Sequence, residues 1–237
     1  MKATGIKKFL ARVGYDISKD KAAMDEILLL TKTRDNINLS PEDFERGYGM
    51  EQSFLIRAIA ESLNISSFFE IGTGRGTASY AVSRIPSVKE IVTVDIVPFS
   101  SRSRITISYQ PAFASNEDIY NLISFQEKNK IKFKHVSDYE SIKLEKPDHY
   151  DLCFIDGCHE DASVIREDFN TCLSLVKDGG YIIWDDYDPS RFEVKNVVDD
   201  ICEKFKYESE LIEFRGHIFG DKTPERGAGE VLMRIKK

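Results

Sequence analysis

The stretch Phe68-Phe69-Glu70-Ile71-Gly72-Thr73-Gly74-Arg75-Gly76-Thr77 decides the fold. A short apolar run reads as a buried strand, three alternating glycines as a sharp turn, and Thr77 to Arg84 as the helix that follows. Glycines between a strand and a helix let the backbone reverse tightly and leave no Cβ to block a ligand lying across the turn. A nucleotide-type ligand is expected there. The spacing departs from the dinucleotide fingerprint GxGxxG, because the third glycine arrives one position early and Thr77 stands where that fingerprint has glycine. That argues against a dehydrogenase or epimerase. Glu70 is a second departure: a carboxylate at the strand end repels a pyrophosphate but accepts hydrogen bonds from an ammonium group. The expected ligand therefore carries a cation.

Outward from this turn the chain alternates strands and helices. Upstream, Phe54, Leu55, Ala58, Ile59 and Leu63 recur at helical spacing from Glu51 onward. Downstream come a strand Glu90 to Val94, a helix Asn116 to Asn129, strands Ile131 to Val136 and Asp151 to Ile155, a helix Asp161 to Val176, and a strand Tyr181 to Trp184. Strands apolar at successive positions, such as Leu152-Cys153-Phe154-Ile155, suit a parallel sheet covered on both faces. After a helix from Arg191 to Phe205, the segments Glu210 to Phe214 and Gly229 to Ile235 read as an antiparallel hairpin closing the sheet edge. The expected class is α/β, a Rossmann-like doubly wound sheet of about seven strands, mostly parallel with an antiparallel C-terminal hairpin. Residues 1–50, with the helical stripe Ala23, Ile27, Leu28 and Leu30, read as an N-terminal helical extension, and residues 51–237 as the main domain. The stretch Ile96 to Ser115 lacks a pattern and is long for a connection, which makes it either a substrate lid or a surface excursion.

Acids recur at the carboxyl ends of these strands, where open α/β sheets bind their ligands. Asp95 ends the second strand, a position from which an acid takes both hydroxyls of a ribose. Asp156, in Ile155-Asp156-Gly157-Cys158-His159, follows a buried strand at once; Glu160 or Asp161 can cap the next helix, which leaves Asp156 for other work. Asp185 and Asp186 end the strand Tyr181 to Trp184, and adjacent acids there repel each other unless a cation or a base lies between them. Asp156, Asp185 and Asp186 thus form a candidate three-carboxylate site for a hard divalent ion such as Mg²⁺, the alternative being a helix cap and a solvated acid.

The 237 residues carry 33 basic and 40 acidic side chains, a net charge of −7, which argues against a surface built to neutralise nucleic-acid phosphates. With 41% hydrophobic and 31% charged residues, the chain has enough apolar side chain for one core and no stretch suited to a bilayer. The N-terminus lacks the apolar run of a signal peptide, and the four cysteines show no CxxC spacing; a reduced, cytoplasmic protein is expected.

Together, Glu70-Ile71-Gly72-Thr73-Gly74-Arg75-Gly76, Asp95, Ile155-Asp156-Gly157-Cys158-His159 and Asp185-Asp186-Tyr187 resemble a class I S-adenosylmethionine-dependent methyltransferase. Within that class the chain is similar to the small-molecule branch of catechol, caffeoyl-CoA and macrolide-sugar O-methyltransferases. The resemblance covers Glu51 to the C-terminus. It implies S-adenosylmethionine as the cationic ligand, held near Glu70, Gly72, Thr73, Gly74, Gly76 and Asp156, with ribose on Asp95 and adenine near Ser137 and Asp138. It also implies Mg²⁺ on Asp156, Asp185 and Asp186. Where these enzymes often carry a lysine base, three residues after the first acid, this chain has His159, so His159 and Asp156 are the candidate catalytic pair. Gly47-Tyr48-Gly49-Met50 matches in position a segment that passes over the donor, and Arg215, His217, Phe219 and Arg226 are candidates for an acceptor pocket or a subunit contact. The implied partner is a small hydroxylated acceptor, a sugar or a phenolic product, with no nucleic acid or membrane; a homo-oligomer stays open. The alternatives are a metal-independent methyltransferase acting on nitrogen or another nucleophile, and a non-catalytic binding protein of the same fold.

Overall fold

The computed structural model describes residues 1–16, 51–107, 110–137, 139–142, 145–188, 190, 192–213 and 227–237. Its centre is an eight-stranded sheet in the order β1-β9-β10-β8-β7-β2-β3-β6. The strands are β1 (Lys2–Gly5), β2 (Ser67–Ile71), β3 (Glu90–Asp95), β6 (Ile131–His135), β7 (Tyr150–Ile155), β8 (Val176–Tyr187), β9 (Glu208–Glu213) and β10 (Gly229–Arg234). Every pairing is parallel except those of β10, which runs against both β8 and β9. The expected doubly wound sheet with a reversed C-terminal hairpin strand is therefore present.

Two apolar layers sandwich it. On one face α1 (Ile6–Val13), α2 (Glu51–Ser62) and α3 (Thr77–Ser83) cover Phe68, Ile91, Phe154, Ile183 and Ile212. On the other, α6 (Ala162–Leu175) and α7 (Val194–Phe205) cover Phe69, Val92, Cys153, Ile182 and Trp184. Alternate residues of one strand thus enter opposite layers, which is why these strands carry apolar side chains at successive positions.

The eighth strand comes from the extreme N-terminus, where the sequence suggested a separate extension. Lys2, Ala3, Thr4 and Gly5 pair in parallel with Glu210 to Glu213, and Ile6, Phe9 and Leu10 of α1 are buried in the core. Thr4 and Arg12 both bond Glu210, Thr4 at 2.6 Å and Arg12 with two nitrogens at 2.7 and 2.9 Å. Residues 2–13 therefore belong to the main body. Four residues are too few for a strand pattern to stand out, and pairing with a strand two hundred residues away leaves no local trace. The stripe Ala23, Ile27, Leu28 and Leu30 lies outside the described residues.

Two further expectations change. The stretch Ile96 to Ser115 contains an antiparallel pair, β4 (Ser103–Ile107) and β5 (Gln110–Ala114), so it is a built hairpin rather than a patternless loop. Its alternation Arg104-Ile105-Thr106-Ile107 was visible but was masked by flanking serines and prolines. The long helix expected from Asn116 is instead α4 (Asn116–Tyr120), closed at its start by a reciprocal Ser115–Asp118 capping box, followed by a 3₁₀ turn Gln126–Lys130 and, after β6, by the short α5 (Tyr139–Ile142).

Candidate active site

The glycine turn sits between β2 and α3 and is shaped by its neighbours. Gly72 has φ +93°, and a Cβ there would come within 1.9 Å of the Asp156 carbonyl oxygen. Only glycine lets β2 lie this close to the end of β7. Gly74 and Gly76 also adopt positive φ, and Gly76 caps α3 with its nitrogen on the Thr73 carbonyl at 2.7 Å. Beneath the turn Thr73 Oγ1 meets Thr93 Oγ1 at 2.6 Å, which locks β2 to β3.

The two acids on this side are both held by the chain. Asp95 accepts from the Gly74 nitrogen at 3.1 Å and from the Val97 nitrogen at 2.8 Å, which fixes its carboxylate against the turn. Asn116, at the end of the β4–β5 hairpin, donates to the Gly74 carbonyl at 2.7 Å, so the hairpin is anchored beside the turn. Glu70 differs from the expectation of a carboxylate open to an ammonium group. It is 2% exposed and accepts from Ser79 Oγ of α3 at 2.5 Å. Burial raises its carboxyl from 4.5 to about 7, against the lowering effect of hydrogen bonds from Ser79 and Thr93. Glu70 supports the turn from below. Ser137 is exposed just beyond β6, and Asp138 lies outside the described residues, as do Gly47 to Met50 and Arg215, His217, Phe219 and Arg226.

The second half of the site lies across β7 and β8. Asp161 caps α6, accepting from the Ser163 nitrogen at 2.8 Å, and α7 has no side-chain cap, so neither helix start is capped by Asp156, Asp185 or Asp186. Asp186 takes a left-handed conformation, φ +51°, which turns it out of the ladder toward His159. His159 Nδ1 lies 3.3 Å from Asp186 Oδ2 and its Nε2 3.9 Å from Asp156 Oδ1. Asp156, His159 and Asp186 offer donor atoms within 4.8 Å of one another, a set that suits one divalent ion. Gln52 bridges Asp185 to that set: its Nε2 donates to Asp185 Oδ2 and, at 3.5 Å, to Asp156 Oδ2. The Asp156 carboxyl is raised well above the usual aspartate range, first by burial and then by Asp185, Asp186 and Glu70, although 28% of its side chain stays exposed.

A methyltransferase-domain family model matches residues 69–187, from the start of the glycine turn to the end of β8. The chain belongs to this family. A curated relative, uncharacterized protein R132 of Acanthamoeba polyphaga mimivirus, is 29% identical over 154 residues, 57% of this chain; the chain spans 60% of that relative's length. Among solved structures, an O-methyltransferase from Bacillus cereus in complex with SAH superposes with a TM-score of 0.57 at 16% identity, covering 91% of each chain. Cofactor-bound Rv0187 from MTB superposes with a TM-score of 0.61 at 13% identity, covering 99% of each. At such identities these likenesses bear on the fold, and the fold is that of the class I methyltransferases. Among the described residues no helix is long and apolar enough to cross a membrane.

Within this methyltransferase fold four contributors escaped the sequence. Gln52 lies in the first turn of α2, where a helix pattern shows only its apolar stripe. Ser79 and Thr93 look like ordinary helix and strand residues until the fold stacks them on Glu70. Glu230, one residue into β10, is fully buried beside Asp185 and Asp186, and burial pushes its carboxyl well up. An acid in an apolar strand, Gly229-Glu230-Val231-Leu232-Met233, was a signal available to find it.

Proposed function

We propose that the protein is an S-adenosylmethionine-dependent O-methyltransferase acting on a small hydroxylated acceptor, a sugar or a phenol, with a divalent cation held by Asp156, Asp185 and Asp186. The observation that carries this reading is the juxtaposition, at one sheet edge, of a ligand-shaped glycine turn with Asp95 and a cluster of acids with one histidine. A scaffold has no need to keep acids that repel one another at a strand end.

S-adenosylmethionine supplies an activated methyl group, and a divalent cation lowers the pKa of an acceptor hydroxyl. Gly72, Thr73, Gly74 and Gly76 leave room for the donor's methionine part against bare backbone. Asp95, already oriented by two backbone N–H groups, accepts from ribose hydroxyls with its remaining lone pairs. Ser137, just beyond β6, would border the adenine. Glu70 keeps the turn in shape by tying β2 to α3 and acts on the donor indirectly.

The reaction forms an O–CH₃ bond as the S–CH₃ bond breaks, and the acceptor's proton must leave. His159 takes it: Asp186 lies at Nδ1 and orients the ring, and Nε2 is directed toward Asp156. Asp156, Asp185 and Asp186 fit a cation by charge and by donor type, and the nearby imidazole admits Mn²⁺ as readily as Mg²⁺. The test is methyl transfer from S-adenosylmethionine to a panel of hydroxylated sugars and phenols, with and without EDTA. Donor binding by calorimetry, with EDTA-sensitive transfer to oxygen, is expected. Transfer confined to amines, indifferent to EDTA, would replace this reading with the metal-independent one.

A further inference from the structure

Glu230 occupies a position that the three-acid reading leaves unexplained. Its side chain is fully buried, and neither carboxylate oxygen has a hydrogen-bond partner among the described residues. The sheet register explains where it points. Val231 pairs with Trp184 and Gly229 with Tyr187, so the register shifts between them and a bulge sets Glu230 of β10 opposite Asp185 and Asp186 of β8. Glu230 also pairs with Ile212, which lies in the layer beneath α1 and α2. Ile155 pairs with Trp184, which puts Asp156 level with Asp185. Glu230, Asp185 and Asp156 therefore lie at one level of three neighbouring strands, β10, β8 and β7. Gly229 makes this possible: a Cβ there would come within 2.0 Å of the Ile212 carbonyl, so only glycine lets β10 close on β9 at this level.

A buried carboxylate with no donor is costly, and one placed beside two more acids is costlier still, unless a cation balances the group. We propose that Glu230 is the fourth carboxylate of the divalent-cation site, a positioning residue behind Asp185 whose charge tightens the hold of Asp185 and Asp186 on the ion. This rests on the reading of Asp156, Asp185 and Asp186 as a cation site.

Mn²⁺ binding to the full chain, measured by electron paramagnetic resonance, tests it on wild type, Glu230→Gln and Glu230→Asp, with S-adenosylmethionine affinity as a reporter of intact fold. Glu230→Gln should weaken Mn²⁺ roughly tenfold or more, in line with losses seen when residues behind metal ligands are removed. Glu230→Asp should stay within a few-fold of wild type, and donor affinity should hold in both. Thermal unfolding separates charge from packing: without metal, Glu230→Gln should melt higher than wild type, and Mn²⁺ should raise its melting point less. Unchanged Mn²⁺ affinity in Glu230→Gln would overturn the role of Glu230 and leave the three-acid site standing. A Gln variant that fails to fold, or melts lower without metal, would assign Glu230 to packing and overturn it too. No Mn²⁺ binding by wild type would remove the cation site and this inference together.

Discussion

The two halves of the site treat their acids in opposite ways. Along β2 and β3 each acid is answered by the chain's own donors: Asp95 by the backbone of Gly74 and Val97, Glu70 by Ser79 and Thr93. Across β7, β8 and β10 acids face acids, with Gln52 and His159 as their polar neighbours. The first half is a finished cradle, with its charges oriented before any ligand arrives. The second half holds excess negative charge that a bound cation would relieve. Preorganisation without a partner suits the hydroxyls of a ribose, which arrive neutral and need fixed acceptors; mutual repulsion suits a site whose affinity is for charge.

Substitutions on each side should break one half and spare the other. The largest effect is expected from Asp156→Asn, which should lower the rate of methyl transfer about a thousandfold while S-adenosylmethionine binding changes only a few-fold, as activity assays and calorimetry would read. Loss of donor binding in that variant would mean the halves are not separate. His159→Gln should cost about a hundredfold in kcat, with Mn²⁺ affinity held. Weaker Mn²⁺ binding in that variant would make His159 a ligand instead.

On the other side, Asp95→Ala should weaken S-adenosylmethionine binding by roughly ten- to a hundredfold, the worth of hydrogen bonds to a charged group, and leave Mn²⁺ binding alone. The smallest effect concerns Glu70. Its carboxyl is raised from 4.5 to about 7, so the folded chain holds this proton more tightly than the unfolded chain does. Its stabilising contribution is therefore complete below about pH 4.5 and lost as pH rises through about 7, up to about 3 kcal/mol in all. Glu70→Gln should flatten that part of the melting-point profile, by a few degrees at pH 8. An unchanged profile would place the titration elsewhere, on Asp156 or Glu230.

Much of this was legible along the chain. Gly72, Gly74 and Gly76 announce a turn because nothing else tolerates the backbone they require, and Asp95, Asp156, Asp185 and Asp186 stand out because each interrupts an apolar strand at its end. Asp161 as the cap of α6 was also readable, since capping is a contact between near neighbours. What escaped shares one property: its meaning depends on a partner far away in sequence. Lys2 to Gly5 become a strand only when β9 is beside them, and Gln52 becomes part of the site only because α2 starts above β8.

The amino-acid sequence by itself determined the βα order, the glycine turn, the ends of the strands at which acids collect and, through these, the methyltransferase family. Such features are set by local backbone preference and by alternation along the chain. Tertiary structure alone decided that Glu70 is buried against Ser79, that His159 stands between Asp156 and Asp186, and that Glu230 lies beside Asp185 and Asp186. Whether a carboxylate is satisfied depends on which atoms lie within a few ångströms of it, and in this fold those atoms come from strands that meet only when the sheet closes.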